Sequence, residues 1–114
     1  MSATVYFTRE ITPEKVVELY HKLGRDLPGK VAVKVHSGEK GNQNFIRPEF
    51  WKPMLDEVNG TFVECNTAYG GSRSSSAMHK QVAADHGFTA IADFDLMDED
   101  GEKSLPLEGG VRLN

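Results

Sequence analysis

The hydrophobic positions of this chain follow two spacings, one typical of amphipathic helices and one typical of strands. Apolar residues at intervals of three and four predict three helices, at residues 13–24, 48–58 and 74–86. Runs of β-branched and aromatic residues predict four strands, at residues 4–8, 31–36, 61–65 and 88–92. The pattern therefore predicts strands and helices in strict alternation along the chain.

Local signals mark the ends of the predicted helices. Thr12 is a typical N-cap and is followed by Pro13, and Pro48 opens the second helix, where proline's missing N–H costs nothing. The pair Asn59-Gly60 closes that helix, and Gly87 closes the third one. These signals place the boundaries independently of the apolar stripes.

The resulting order, βαβαβαβ, is typical of a mainly parallel sheet with right-handed crossovers. We therefore expect an α/β fold, a three-layer sandwich with about four strands, in a single domain spanning residues 1–114. Beyond residue 93 the chain becomes acidic and glycine-bearing, which predicts a short irregular or hairpin-like carboxyl-terminal tail.

Composition narrows the function classes. The formal net charge of −4 provides no general basic field for nucleic acid or an acidic membrane. The sequence contains no long apolar run typical of a membrane span and no amino-terminal leader pattern, so we expect a cytoplasmic protein. The one cysteine, Cys65, cannot by itself hold an iron–sulfur cluster, and at the end of a strand we expect it to be buried.

Polar residues follow the ends of the predicted strands, where ligands bind in open parallel sheets. The loop after the third strand combines glycines, hydroxyls and an arginine, which suits a phosphate or carboxylate. The predicted anion-binding residues are Arg47, Tyr69, Gly70, Gly71, Ser72 and Arg73. An ordinary strand-to-helix turn with serine caps explains the same loop, and both readings stay open.

Two residues at the end of the second strand carry the candidate chemistry. Lys34 and His36 share the face opposite Val31, Val33 and Val35, and histidine is an acid or base near neutral pH. A hydrogen-bonded loop histidine is the alternative for His36.

A weak divalent-metal site is a further alternative. Its four predicted ligands are His36, Glu39, Asp93 and Asp95. The other three histidines, His21, His79 and His86, are expected on the surface.

Three separated blocks resemble one protein family: VKVHSGEKGNQNFIRPEFWKPMLDEV, NTAYGGSRSSSAMHKQVAADHGF and LPLEGG. Together they are similar to the amino-terminal part of the bacterial and archaeal family called domain of unknown function 362 (DUF362). The family pattern falls on Lys34, His36, Gly38 and Glu39, on Arg47 and Pro48, and on Tyr69, Gly71 and Arg73.

The resemblance also carries expectations about the whole protein. Members are usually much longer, and many carry a cysteine-rich, ferredoxin-like segment. With its one cysteine this chain departs from that pattern, so we expect no iron–sulfur cluster within it. The resemblance does not identify any other cofactor. The resemblance implies the amino-terminal portion of a longer protein.

Three alternative functions are therefore expected. One is binding of an anionic small molecule or cofactor at the strand ends, and another is a metal-dependent enzyme. The remaining alternative is a non-catalytic interaction or dimerisation domain of a larger iron–sulfur redox protein. Its partner would be a second copy or a missing carboxyl-terminal region, docked on an exposed aromatic anchor formed by Phe45, Phe50 and Trp51.

Overall fold

The computed structural model describes residues 2–100, 106 and 108–110. Within them the chain forms four helices and three strands. In chain order these are α1 (Pro13–Lys22), β1 (Val31–Lys34), α2 (Pro48–Val58), β2 (Gly60–Glu64), α3 (Ser76–Asp85), α4 (Phe88–Ile91) and β3 (Phe94–Leu96). The predicted irregular tail begins after residue 93, but its first residues, Phe94–Leu96, form β3, and residues 101–105, 107 and 111–114 of the tail lie outside the described residues.

Helix α1 begins where its local signals predict and ends at Lys22, two residues before the predicted end, while α2 begins and ends as predicted. The Thr12 side chain accepts a hydrogen bond from the backbone N–H of Lys15, at 3.3 Å, and Pro13 occupies the first turn of α1. Helix α2 opens at Pro48 and ends at Asn59, which adopts the left-handed conformation. None of the helices in the described part of the chain is long and apolar enough to cross a membrane.

The strands form one open parallel sheet in the order β1-β2-β3. Val33 pairs with Phe62, and Phe62 pairs with Phe94, so these three residues share a face. That face packs against Leu55 of α2, Ala83 of α3 and Phe88 of α4 to form the core. The α/β class and the parallel sheet are thus confirmed, with three strands among the described residues.

The opposite face of the sheet is largely open in the described part of the chain. Ala32 and Lys34 of β1 and Asp95 of β3 are exposed there, although Val63 between them is buried. The predicted third layer would cover this face, but α1 packs against α2 instead. The described residues therefore form two layers, which explains how Lys34 stays in water.

The first predicted strand is wrong. Residues 4–8 form neither strand nor helix, and Val5 and Phe7 are 82% and 80% exposed. Strand propensity measures how well a side chain fits a half-buried pleated surface, so it is not expressed without a neighbouring strand. In the described residues no strand pairs with the outer edge of β1.

The fourth predicted strand is also wrong. Residues 88–91 form the short helix α4, and the third strand begins later, at Phe94. Gly87, with a φ of 87°, ends α3 and lets the chain turn into α4. A short apolar run fits a buried helix or a buried strand equally well by periodicity, and here the core is filled by Phe88 from a helix.

Candidate functional site

Two polar loops meet beyond the carboxyl ends of β1 and β2. Ser72 donates a hydrogen bond from Oγ to Glu39 Oε2, at 2.8 Å, and accepts one from the backbone N–H of Lys40, at 3.1 Å. The Tyr69 hydroxyl also lies 3.4 Å from Glu39 Oε1. The structure therefore brings together two loops that are about thirty residues apart in the chain.

Arg73 lies at the centre of this junction and is only 4% exposed. Its Nε donates to Glu39 Oε1 at 2.8 Å, and its Nη1 donates to Glu64 Oε1 at 2.5 Å. Its Nη1 also lies 3.0 Å from His36 Nδ1, and its Nη2 donates to the Tyr69 hydroxyl at 3.1 Å. Two carboxylates thus already neutralise the guanidinium that the sequence predicts as an anion clamp.

Glu64 is the partner that sequence reasoning missed. It is 3% exposed at the end of β2, and its Oε2 accepts hydrogen bonds from Ser37 N at 3.1 Å, Ser37 Oγ at 2.5 Å and His79 Nε2 at 2.9 Å. The alternation of β2 could have predicted the burial of Glu64, because Glu64 is two residues from the core residue Phe62 and therefore lies on the same face of the strand.

His79 is fully buried, so its predicted surface position is wrong. It lies on the inner face of α3 with Val82 and Ala83, at the helical spacing of three and four. Its Nδ1 lies 3.2 Å from Asn66 Oδ1, on the side opposite Glu64. Each ring nitrogen of the buried imidazole thus lies within hydrogen-bond distance of a side-chain oxygen.

The other two histidines differ from each other. His86 is half-buried, contrary to the prediction: its Nδ1 lies 2.6 Å from the Ser37 carbonyl oxygen, and its ring stacks on Phe45 at 4.4 Å. His21 is exposed, as predicted, and contacts Glu57. Cys65 is exposed, contrary to the prediction, because β2 ends one residue before it.

Arg73, Glu39 and Glu64, together with the side chains that hydrogen-bond to them, form a charge network, and the contacts within it shift the pKa values of these three residues. Burial alone would raise the pKa of Glu64, but hydrogen bonds from Ser37 and His79 outweigh burial and hold it below its ordinary value. Hydrogen bonds from Arg73 and Ser72 lower the pKa of Glu39. Burial alone would lower the pKa of Arg73, but its bond to Glu39 and the charge of Glu64 raise it. The network therefore stabilises the ionised forms.

These lowered carboxyl pKa values predict a loss of stability in acid. Just below the ordinary glutamate pKa of about 4.3, these two carboxylates bind protons in the unfolded chain but remain ionised in the folded chain. The stabilisation is therefore complete above that pH and is lost as the pH falls through the lower folded pKa values of Glu64 and Glu39. Urea midpoints measured from about pH 7 down to about pH 3 should fall steeply for the parent protein.

The Glu64→Gln variant isolates the contribution of Glu64. It should be less stable than the parent at neutral pH, and its midpoint should fall less between those pH values. Asp56→Asn, which removes an exposed partner of Lys52, is the matched control and should keep the parent's slope. An equally steep fall in Glu64→Gln would contradict the assignment.

Lys34 and His36, the predicted chemical groups, both lie at the end of β1 and are exposed. Lys34 donates from Nζ to the Val35 carbonyl oxygen at 2.6 Å. His36 Nδ1 faces Arg73, and it also lies 3.7 Å from Glu64 Oε1. The charge network therefore reaches the surface at His36.

Both residues line a recess of about 400 Å³ beside β1. Its lining consists of Lys34, Val35, His36, Asn44, Phe45, Ile46 and Trp51. Phe45 and Trp51 pack against the core from the recess wall, and with Phe50 they are half-buried. They therefore do not form the predicted exposed anchor.

The predicted anion-binding residues are divided between two places. Tyr69, Ser72 and Arg73 belong to the charge network, while Arg47 is exposed and holds its guanidinium carbon 4.4 Å from the centre of the Phe45 ring. Gly70 and Gly71 lie in the exposed turn that precedes Ser72. Arg47 thus lies beside the recess wall, and we observe no contact between it and Arg73 in the described residues.

The predicted metal ligands are not gathered in the described part of the chain, where no group of three or more His, Cys, Asp or Glu residues could hold a metal ion. His36 and Glu39 both contact Arg73, a cation. Asp93 precedes the amino-terminal end of β3, and its carbonyl oxygen accepts a hydrogen bond from the N–H of Phe62, in the middle of β2. The parallel direction of β3 explains this separation.

Comparison with known proteins identifies a family. No curated protein and no solved structure matches the chain. The family model described as Domain of unknown function (DUF362) matches residues 31–114, which include β1, both polar loops and the charge network. This match covers most of the chain, and the chain therefore belongs to the DUF362 family.

Proposed function

We propose that the recess beside β1 binds a small molecule that carries an anionic group on an apolar body. One observation carries this proposal: a single recess combines Lys34 and His36 with Phe45, Ile46 and Trp51, and the described residues of its lining include no carboxylate. Small-molecule sites are typically concave and mostly apolar, with a few polar groups that fix orientation.

The charges around the recess favour an anion. Lys34 offers a charged ammonium group, and Arg47 adds a second cation beside the Phe45 wall. The chain as a whole carries a formal net charge of −4, so this local excess of positive charge is not a general property of its surface. Charge-assisted hydrogen bonds from such groups are about twice as strong as neutral ones.

The charge network is a less suitable anion site. Arg73 is buried and already donates to two carboxylates, so an incoming anion would meet the negative charges of Glu39 and Glu64. It would also have to replace hydrogen bonds that are already well formed. The recess offers cationic groups without that competition.

A larger recess, of about 600 Å³, lies elsewhere, against the carboxyl ends of α1 and α2. Its lining includes His21, Arg25, Asp26 and Glu57, so charges of both signs are present. His21 is already paired with Glu57. Helix carboxyl ends also carry partial negative charge, which disfavours anions there.

Fluorescence of Trp51 tests the proposal directly, because Trp51 lines the recess and is the only tryptophan in the chain. Phenyl phosphate, which has an apolar ring and an anionic group, should cause a saturable change in that fluorescence. Phenol and inorganic phosphate, which each lack one part, should bind more weakly. Lys34→Met should weaken phenyl phosphate binding about tenfold, the effect of losing one charge-assisted hydrogen bond.

Lys52→Met is the matched control, since Lys52 is an exposed lysine of α2 that is paired with Asp56 and is not part of the recess lining. It should bind phenyl phosphate as the parent does. Equal affinity in Lys34→Met and the parent, or no saturable signal with phenyl phosphate, would refute the proposal.

A further inference from the structure

His36 and Arg73 meet through a contact whose direction follows from chemistry. Arg73 Nη1 lies 3.0 Å from His36 Nδ1. Arginine stays protonated in proteins and has donors only. His36 Nδ1 must therefore accept this hydrogen bond, and the proton of the neutral ring is then on Nε2.

The guanidinium is held firmly in the position that makes this contact. Glu39 and Glu64 each bind it through a separate nitrogen, at 2.8 and 2.5 Å. Glu64 is in turn fixed by hydrogen bonds from Ser37 and His79 to its other oxygen. Second-sphere carboxylates that orient a histidine and select its tautomer are a recurrent device in functional sites.

We propose that Arg73, held by Glu39 and Glu64, is a positioning residue that presents His36 Nε2–H as a hydrogen-bond donor to the anionic group bound in the recess. This inference rests on the proposed function of the recess. It gives Arg73 a role different from that of an anion clamp, since Arg73 acts through His36 and does not touch the ligand.

The arrangement also narrows the ligand class. A donor N–H requires an acceptor, so the ligand group at His36 carries oxygen acceptors, as in a carboxylate, a phosphate or a sulfonate. A metal ion needs an unprotonated ring nitrogen, and Nδ1 already faces a cation. The geometry therefore points to an oxyanion at His36 in preference to a divalent metal.

Nuclear magnetic resonance of the ¹⁵N-labelled histidine ring tests the tautomer without any ligand. In the parent protein at about pH 8.5, where a free imidazole is neutral, His36 should show a protonated Nε2 and an unprotonated Nδ1. Arg73→Lys keeps the charge but loses the planar fork. It should give a mixture of tautomers and weaken phenyl phosphate binding about three- to tenfold.

Substitutions of His36 itself provide a rescue test that needs no change in the buried network. His36→Ala should weaken phenyl phosphate binding about tenfold. His36→Gln places an amide N–H near the position of Nε2–H and should recover most of that loss. Inorganic phosphate and phenol serve again as partial ligands, and Lys52→Met as the unchanged control.

The possible failures are distinguishable. A protonated Nδ1 in the parent, or an unchanged tautomer in Arg73→Lys, overturns the positioning role whatever the ligand data show. Equal weakening in His36→Gln and His36→Ala overturns the donor role of Nε2. Absence of phenyl phosphate binding by the parent overturns the proposed function of the recess, and with it the ligand role of His36.

Discussion

Replacing Arg73 with methionine should lower the free energy of unfolding by about 3–5 kcal/mol, the usual cost of breaking a buried ion pair by removing one partner. The cost arises because Glu64, 3% exposed, would keep its negative charge without its guanidinium partner. Urea unfolding followed by circular dichroism measures the change. Against a typical total stability of about 5–15 kcal/mol for a small domain, such a loss is severe.

Two further variants make the Arg73 result specific. Lys52→Met breaks an exposed pair with Asp56 and should cost at most about 1 kcal/mol. The double variant Arg73→Met, Glu64→Gln removes both charges and keeps an oxygen acceptor for Ser37 and His79, so it should be more stable than Arg73→Met alone. A cost of less than about 1 kcal/mol for Arg73→Met would show that the pair is not buried as described.

Replacing Phe88 with alanine should also destabilise the protein by about 3–5 kcal/mol, as large-to-small changes of buried phenylalanines do. Phe88 is fully buried and packs edge-on against Phe62 at 5.2 Å between ring centres. The loss combines the transfer free energy of the ring with a cavity in the core, and urea unfolding measures it.

Phe7→Ala is the matched control, because it makes the same chemical change at a residue that is 80% exposed. It should change the free energy of unfolding by no more than about 0.5 kcal/mol. If both variants were equally costly, residues 4–8 would be buried as a strand, as their sequence alone suggests, and the position described for this segment would be refuted.

The parts of the fold that were predictable from sequence are those fixed by neighbours in the chain. The N-cap at Thr12, the prolines at the helix starts and the left-handed Asn59 act within one turn of backbone. The alternation of β1 likewise placed Val35 and Lys34 on opposite faces of the strand. Each of these signals needs no knowledge of distant residues.

Two elements were mispredicted because their state depends on distant residues. Residues 4–8 have strand-forming side chains but no neighbouring strand in the described structure. Residues 88–91 are an apolar run that the core accepts as a helix. A strand exists only with a hydrogen-bonded neighbour, whereas a helix satisfies its own backbone, so local propensity cannot decide between them.

The residues of the candidate site were likewise predicted only in part. Sequence reasoning selected both polar loops, and it selected Lys34, His36 and Arg73 within or beside them. It missed Glu64 and misplaced His79, because a carboxylate and an imidazole are assigned to water by default. Only their pairing with Arg73 and with each other makes their burial tolerable.

By itself, the sequence determined the α/β class, the start of the first helix, both ends of the second helix, the division of β1 into two faces, and the family. The tertiary structure alone decided the number of strands described, the burial of Glu64 and His79, and the partners of Arg73. The physical reason is range: capping and periodicity act over a few residues, while the stability of a buried charge depends on partners that only folding brings within 3 Å.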